Sequence, residues 1–154
     1  MACWLVKSEP DVYSIDDLKR DRKTAWHGVR NYQARNFLRN MVKGDKVFFY
    51  HSSCQVPGIA GTATVSCEAY PDPSQFDRKN DFYDGAATEE APRWFCPDIQ
   101  FEGKFANPIT LEQLKGVQAL ADLQLLKRGN RLSVLPLADR EFKLIEKMAR
   151  SGGK

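Results

Sequence analysis

Hydrophobic and polar positions along this chain change period several times, and the changes mark out its elements. The bulky run Cys3-Trp4-Leu5-Val6-Lys7 predicts a first strand, ended by Ser8-Glu9-Pro10, where the proline removes a donor and holds Glu9 extended. Ser14 caps a short helix with Asp17 as its capping-box partner and Ile15 and Leu18 on the buried side. Trp26 ends a brief strand, Gly28 permits a turn, and Asn31 caps a helix. Ala34, Phe37, Leu38 and Met41 recur in that helix at i, i+3, i+4 and i+7, and Gly44 stops it. Val47-Phe48-Phe49-Tyr50-His51 is apolar on both faces and predicts a central strand.

After the loop at Gln55-Val56-Pro57-Gly58, Ile59, Gly61, Ala63, Val65, Cys67 and Ala69 alternate with Thr62, Thr64, Ser66 and Glu68, the mark of a half-buried strand. From Pro71 to Pro92 periodicity lapses among acidic residues, and a loop of that length suggests a lid or a functional segment. Trp94 to Phe105 predicts a strand with a bulge or edge position at Pro97. Thr110 and Gln113 cap a helix bearing Leu111 and Leu114, Leu120 to Leu126 forms helical turns, and Arg128-Gly129-Asn130 turns into a last strand over Arg131–Pro136. Asp139 caps a closing helix with Phe142, Ile145 and Met148 on one side. Strands and short helices alternate without the long crossover helices of a parallel sheet. The class expected is α+β, a mixed and strongly curved sheet or small barrel flanked by short helices. One domain spans residues 1–150, followed by a frayed tail at 151–154.

Composition narrows the setting. The chain has 154 residues, of which 42% are hydrophobic, enough for a single domain with a real core. A net charge of +3 permits a polyanionic partner without demanding one. Cys3, Cys54, Cys67 and Cys96 form no C-x-x-C pair, which points to free thiols in a reducing compartment. The N-terminus reads directly into a strand rather than a signal peptide, and no apolar run is long enough to cross a bilayer. The expectation is a cytoplasmic monomer without a membrane partner.

Candidate chemistry is sparse. No phosphate-binding glycine loop, H-E-x-x-H or G-x-S-x-G motif occurs. With two histidines and scattered cysteines, no metal or cofactor is expected, and no catalytic residue is assigned. Cys54 and His51 are three apart at a strand end, where side chains diverge, and no third group orients them. Recognition chemistry remains: Trp26, Ser8, Asn31, His51, Ser52 and Ser133 are the types that hold an extruded base, by stacking and by hydrogen bonds to its edge. The plainer alternative makes Trp26 a core residue and the arginines a solvated helix face.

Longer motifs go beyond pattern. Trp4-Leu5-Val6-Lys7-Ser8-Glu9-Pro10, Trp26-His27-Gly28-Val29-Arg30-Asn31-Tyr32-Gln33-Ala34-Arg35-Asn36, Phe49-Tyr50-His51-Ser52, Tyr70-Pro71-Asp72-Pro73 and Arg131-Leu132-Ser133-Val134, in this order over nearly the whole chain, resemble the EVE domain family. That resemblance implies a PUA-like fold, a curved mixed sheet or barrel similar to YTH and ASCH domains. It also implies a non-enzymatic reader of a modified base, a modified cytosine in DNA being favoured. An RNA reader of the YTH or ASCH kind is the alternative, and a metal-independent hydrolase of modified nucleic acid a more distant one. By position, the base pocket would take Lys7, Ser8, Trp26, Val29, Asn31, Tyr50, His51, Ser52, Leu132 and Ser133, and Arg30, Arg35 and Arg131 would face phosphates. Two positions depart from the family pattern: His27 stands where Asp is usual, and Leu135 where the last strand usually has Gln. The absence of a long basic N-terminal extension resembles the short, bacterial-type form.

Overall fold

A computed structural model of the chain describes residues 2–152. In chain order the elements are β1 (Cys3–Ser8), α1 (Ile15–Asp21), β2 (Lys23–Ala25), α2 (Tyr32–Asn40), β3 (Lys46–His51), β4 (Gly58–Pro71), β5 (Phe95–Thr110), α3 (Leu111–Lys115), β6 (Val134–Leu137) and α4 (Asp139–Gly152). Short 3-10 turns cover Pro73–Phe76, Gln118–Leu120 and Gln124–Leu126. The strands form one mixed sheet in the order β2-β5-β4-β3-β1-β6, with β1 and β3 parallel and every other pair antiparallel. Because β2 and β6 remain edges, the sheet is open; the closed-barrel alternative is not formed.

Strand alternation divides the interior into two cores, one on each face of the sheet. Trp4 and Val6 of β1 and Val47 and Phe49 of β3 face α1 and α2, where Ile15, Leu18, Ala34, Leu38 and Met41 meet them. Cys3, Leu5, Phe48 and Tyr50 face the other way, against Leu114, Phe142 and Ile145 and the leucines at 120, 123 and 125. Bulges break the simple alternation expected of the long hairpin. A register shift between Ile59 and Gly61 sends Ile59 to the second core while Ala63 and Val65 stay in the first. Another shift, beside Gly103, splits Phe101 from Phe105 in the same way. A third lies where Cys67 and Tyr70 pair with Asp98 and Cys96, which flank Pro97, and Cys67 is exposed.

The helix caps follow local chemistry. Ser14 with Asp17 and Thr110 with Gln113 form complete capping boxes. The Asn31 side chain accepts from Ala34 N–H at 2.9 Å and starts α2. Three boundaries differ from the sequence reading. Gly44, at φ +96°, shapes the turn into β3 rather than stopping α2, which ends at Asn40. β6 begins at Val134 instead of Arg131. Asp139 is already helical, and the Glu141 carboxylate caps Ala138 N–H at 2.8 Å instead. α4 continues through Gly152, into the stretch expected to fray, and residues 153–154 of that expected tail lie outside the described residues.

Candidate nucleic-acid interface

Where β1 ends beside the β2–α2 connection, the surface opens into a cavity of about 510 Å³. β1 supplies Lys7 and Ser8, the turn after it Val12 and Tyr13, the β2–α2 connection Trp26, Gly28, Val29 and Arg30, and the residue before β6 Ser133. Phe82 reaches the same cavity from the loop between β4 and β5. The backbone fixes these walls: Lys7 N–H donates to Ser133 C=O at 2.9 Å, Trp26 N–H to Pro97 C=O at 2.9 Å, and Ser8 Oγ to Tyr13 C=O at 2.6 Å. Trp26 is 9% exposed and stands edge-on to Phe49, with ring centroids 5.5 Å apart. It therefore belongs to the first core and lines the cavity at once, joining the two roles that the sequence left as alternatives.

Lys7 is a cation of this cavity left unengaged: among the described residues its ammonium makes no ion pair and no side-chain hydrogen bond. Burial lowers its pKa, because the cavity wall withholds the water that would solvate the charge. Burial first, and then the hydrogen bond to Asp21 at 2.9 Å, push the Tyr13 phenol up to about 12.

Arg30 lines the cavity but is occupied inward. Its guanidinium donates to Asp72 (3.2 Å), Ser74 Oγ (3.0 Å), Val29 C=O (3.0 Å) and twice to Phe82 C=O (2.7 and 3.0 Å). Asp72 has no exposed surface and also accepts from Gly28 N–H at 2.7 Å and from Ser74 N–H and Oγ at 2.8 and 2.5 Å. Burial alone would raise its carboxyl; the donors from Ser74, Gly28 and Arg30 outweigh that and hold it below the usual range. The expected lid is thus clamped at its root. Gln75, also fully buried, adds bonds to Trp94 and Arg93, and Phe82 lies so close over Gly28 that a Cβ there would meet its ring at 2.7 Å.

Of the ten pocket residues expected, Lys7, Ser8, Trp26, Val29 and Ser133 come together in this cavity. The other five do not line it. Tyr50 alternates with Phe49 and is buried in the core on the opposite face of the sheet. His51 turns its Nε2 to accept from Ile15 N–H at 3.1 Å, and burial lowers its pKa. Ser52 follows β3 and donates its N–H to Ser8 C=O at 3.0 Å. Asn31 spends its side-chain oxygen on the cap of α2, and Leu132 packs between the two cores.

The phosphate candidates are redistributed too. Arg35 donates to Arg93 C=O at 2.9 Å and to Asn36, and its guanidinium lies 4.8 Å from the centre of the Tyr32 ring. Arg131 lines a second cleft of about 370 Å³ with Asn31, Lys127, Arg128 and Leu132. Leu135 is fully buried in the second core, so its departure from the family pattern falls outside the cavity, whereas His27 sits on the cavity rim beside Phe82. Sequence reasoning missed Phe82, Asp72 and Tyr13 as parts of the site. Asp72 lay inside the Tyr70-Pro71-Asp72-Pro73 motif, whereas Phe82 had no local signal in its aperiodic loop.

Comparisons with known proteins agree with this architecture. The EVE domain family pattern matches residues 2–148. Human thymocyte nuclear protein 1 is 43% identical over 161 residues, covering 92% of this chain and 71% of that protein. A crystal structure of a Pseudomonas syringae protein superposes with a TM-score of 0.93 at 48% identity, over 96% of this chain and 99% of that one. The crystal structure of human THYN1 protein in complex with 5-methylcytosine-containing DNA superposes with a TM-score of 0.90 at 42% identity, over 97% and 98% of the two chains. The chain belongs to the EVE domain family.

Proposed function

We propose, from this family membership, that the chain is a non-catalytic DNA-binding domain whose cavity receives a single modified base, 5-methylcytosine first among the candidates. One observation carries the reading: an open cavity walled by Trp26, Val29 and an unpaired Lys7, in a fold whose human relative is crystallised with 5-methylcytosine-containing DNA. The volume is within the usual range for small-ligand sites, roughly 300–1,000 Å³. An indole wall stacks on a flat ring for about 1–3 kcal/mol, and Val29 offers apolar contact to a methyl group. Lys7 donates to an acceptor on the base edge, and the Ser8 hydroxyl, already donating to Tyr13, keeps lone pairs for an exocyclic amine. Extrusion of the base from a duplex costs a few kcal/mol, which these contacts offset.

The test is a titration at fixed salt with oligonucleotides carrying cytosine, 5-methylcytosine, 5-hydroxymethylcytosine or N6-methyladenine, in DNA and in RNA. A preference of about tenfold, ~1.4 kcal/mol, for one modified base is expected. Equal affinities for all bases would overturn the reading, and a preference confined to RNA would replace it with the YTH-like one. Trp26→Ala removes a core residue and lowers stability by about 3–5 kcal/mol, so Lys7→Gln is the cleaner probe. It should narrow the preference while the thermal midpoint stays within a few degrees.

A further inference from the structure

The second cleft lies against the first. Arg30 lines the cavity and Asn31 the cleft; Ser133 lines the cavity and Leu132 the cleft. Two pairs of chain neighbours therefore form the divide between them. The cleft carries Lys127, Arg128 and Arg131, all exposed, and no acidic side chain lines it. None of the three makes an ion pair or a side-chain hydrogen bond among the described residues, in contrast to Arg30 and Arg35, which are spent within the fold. Three adjacent like charges repel one another and persist at one spot only where something holds the backbone that bears them. Here that backbone is braced: Asn130 donates its amide to Gln124 C=O at 2.9 Å and its N–H to Lys127 C=O at 3.1 Å, while its side-chain oxygen accepts from Leu132 N–H at 2.9 Å. Gly129, at φ +78°, makes the turn possible. Asn31, on the cleft wall, caps the N-terminus of α2, a helix of nine residues.

From this we infer that the cleft binds backbone phosphate of the strand whose base enters the cavity, through Lys127, Arg128 and Arg131; this rests on the base-binding reading above. Guanidinium groups grip phosphate oxygens bidentately, and a lysine adds a mobile point charge. The step from cavity to cleft across adjacent residues matches the requirement that an extruded nucleotide keep its phosphates outside the base pocket.

The experiment compares wild type with the triple variant K127Q/R128Q/R131Q. A control of equal charge, K115Q/K143Q/K147Q, alters lysines of α3 and α4 that line neither the cavity nor the cleft. Each is titrated with a 5-methylcytosine oligonucleotide, its unmodified counterpart and an abasic strand, from low to moderate salt. The expected result is an affinity at least about tenfold weaker in the triple variant. The slope of log affinity against log salt should also be shallower by about two to three units, since each phosphate contact contributes about 0.7–0.9. The ratio of modified to unmodified affinity should be unchanged, and the control should match wild type. Unchanged affinity and slope in the triple variant would overturn the inference, as would a free mononucleotide bound as tightly as the oligonucleotide. Loss of abasic-strand binding in the triple variant, with no base preference in wild type, would sustain the cleft and remove the base reading.

Discussion

Asp72 is the residue whose loss should travel furthest. The substitution Asp72→Asn keeps the volume and removes the charge, so no cavity term complicates the outcome. Asp72 is fully buried, its partner Arg30 is 22% exposed at the side chain, and the carboxylate accepts four hydrogen bonds, from Gly28 N–H, Ser74 N–H, Ser74 Oγ and Arg30. Removing one member of a fully buried pair costs about 3–5 kcal/mol. Partial exposure of Arg30 lets water recover some of that. The amide that replaces one oxygen, however, turns a donor toward Gly28 N–H or Ser74 N–H, at about 1–3 kcal/mol per unsatisfied group. A net loss of about 2–4 kcal/mol follows, or roughly 5–15 °C in midpoint for a domain of this size. Urea and thermal unfolding of wild type, D72N, R30Q and the double variant measure it, with a coupling energy above about 1 kcal/mol expected from the cycle. A D72N midpoint within about 2 °C of wild type, or zero coupling, would refute the clamp. The same logic sets a pH dependence. A carboxyl held below its ordinary range gives stability that is complete above that range and is lost as pH falls through the lowered value.

Three further outcomes follow from neighbouring geometry. Gly28→Ala should cost at least about 1 kcal/mol in unfolding experiments, because φ is +85° and the new methyl meets the Phe82 ring at 2.7 Å; a neutral result would show that Phe82 moves freely. Asn31→Ala should lower stability by about 1 kcal/mol through loss of the α2 cap while leaving the base preference intact, and a changed preference would return Asn31 to the pocket. The depressed His51 pKa makes the imidazole's contribution complete above 6.5 and progressively lost as pH falls through 6.5 toward the lowered folded value; His51→Gln, compared with wild type between pH 7.5 and 5, should flatten that part of the stability curve.

What the sequence made legible was local. Caps at Ser14, Asn31 and Thr110, the stripe of α2 and the apolar strand at 47–51 all depend on neighbours within four residues, and they stand where the pattern put them. The strand alternation was legible as well but stops at a bulge. Nothing in the period of Ile59 to Ala69 announces the shift beside Gly61, so alternation alone puts Ile59 on the face opposite the one it occupies. Family position gave a pocket half of which converges, because residue types carry over without their facing. Tyr50 stays out of the cavity by parity with Phe49, and Asn31 and His51 turn their polar atoms to helix termini instead. The clamp of Asp72, Gly28, Arg30 and Phe82 joins residues 42 to 52 apart in sequence, and only the assembled sheet brings them together.

The two departures from the family pattern can now be separated by where they lie. Leu135 faces the second core, fully buried among Leu5, Phe48 and Phe142, so it acts on stability and not on the base. His27 is exposed on the cavity rim, its ring edge-on to Phe82 at 5.9 Å and its Nδ1 3.2 Å from Ala25 C=O. Leu135→Gln in this core buries an amide without an assigned partner and should lower stability by about 1–3 kcal/mol while the base preference persists. His27→Asp should leave stability within about 0.5 kcal/mol, as surface changes generally do. It places a carboxylate on the wall that an incoming strand must pass, so it should weaken DNA binding, and more steeply at low salt, where screening is least. Measuring both variants by unfolding and by oligonucleotide titration divides the two effects. A stable L135Q with altered preference, or a destabilised H27D with unaltered binding, would contradict the division of the two positions between core stability and the cavity rim.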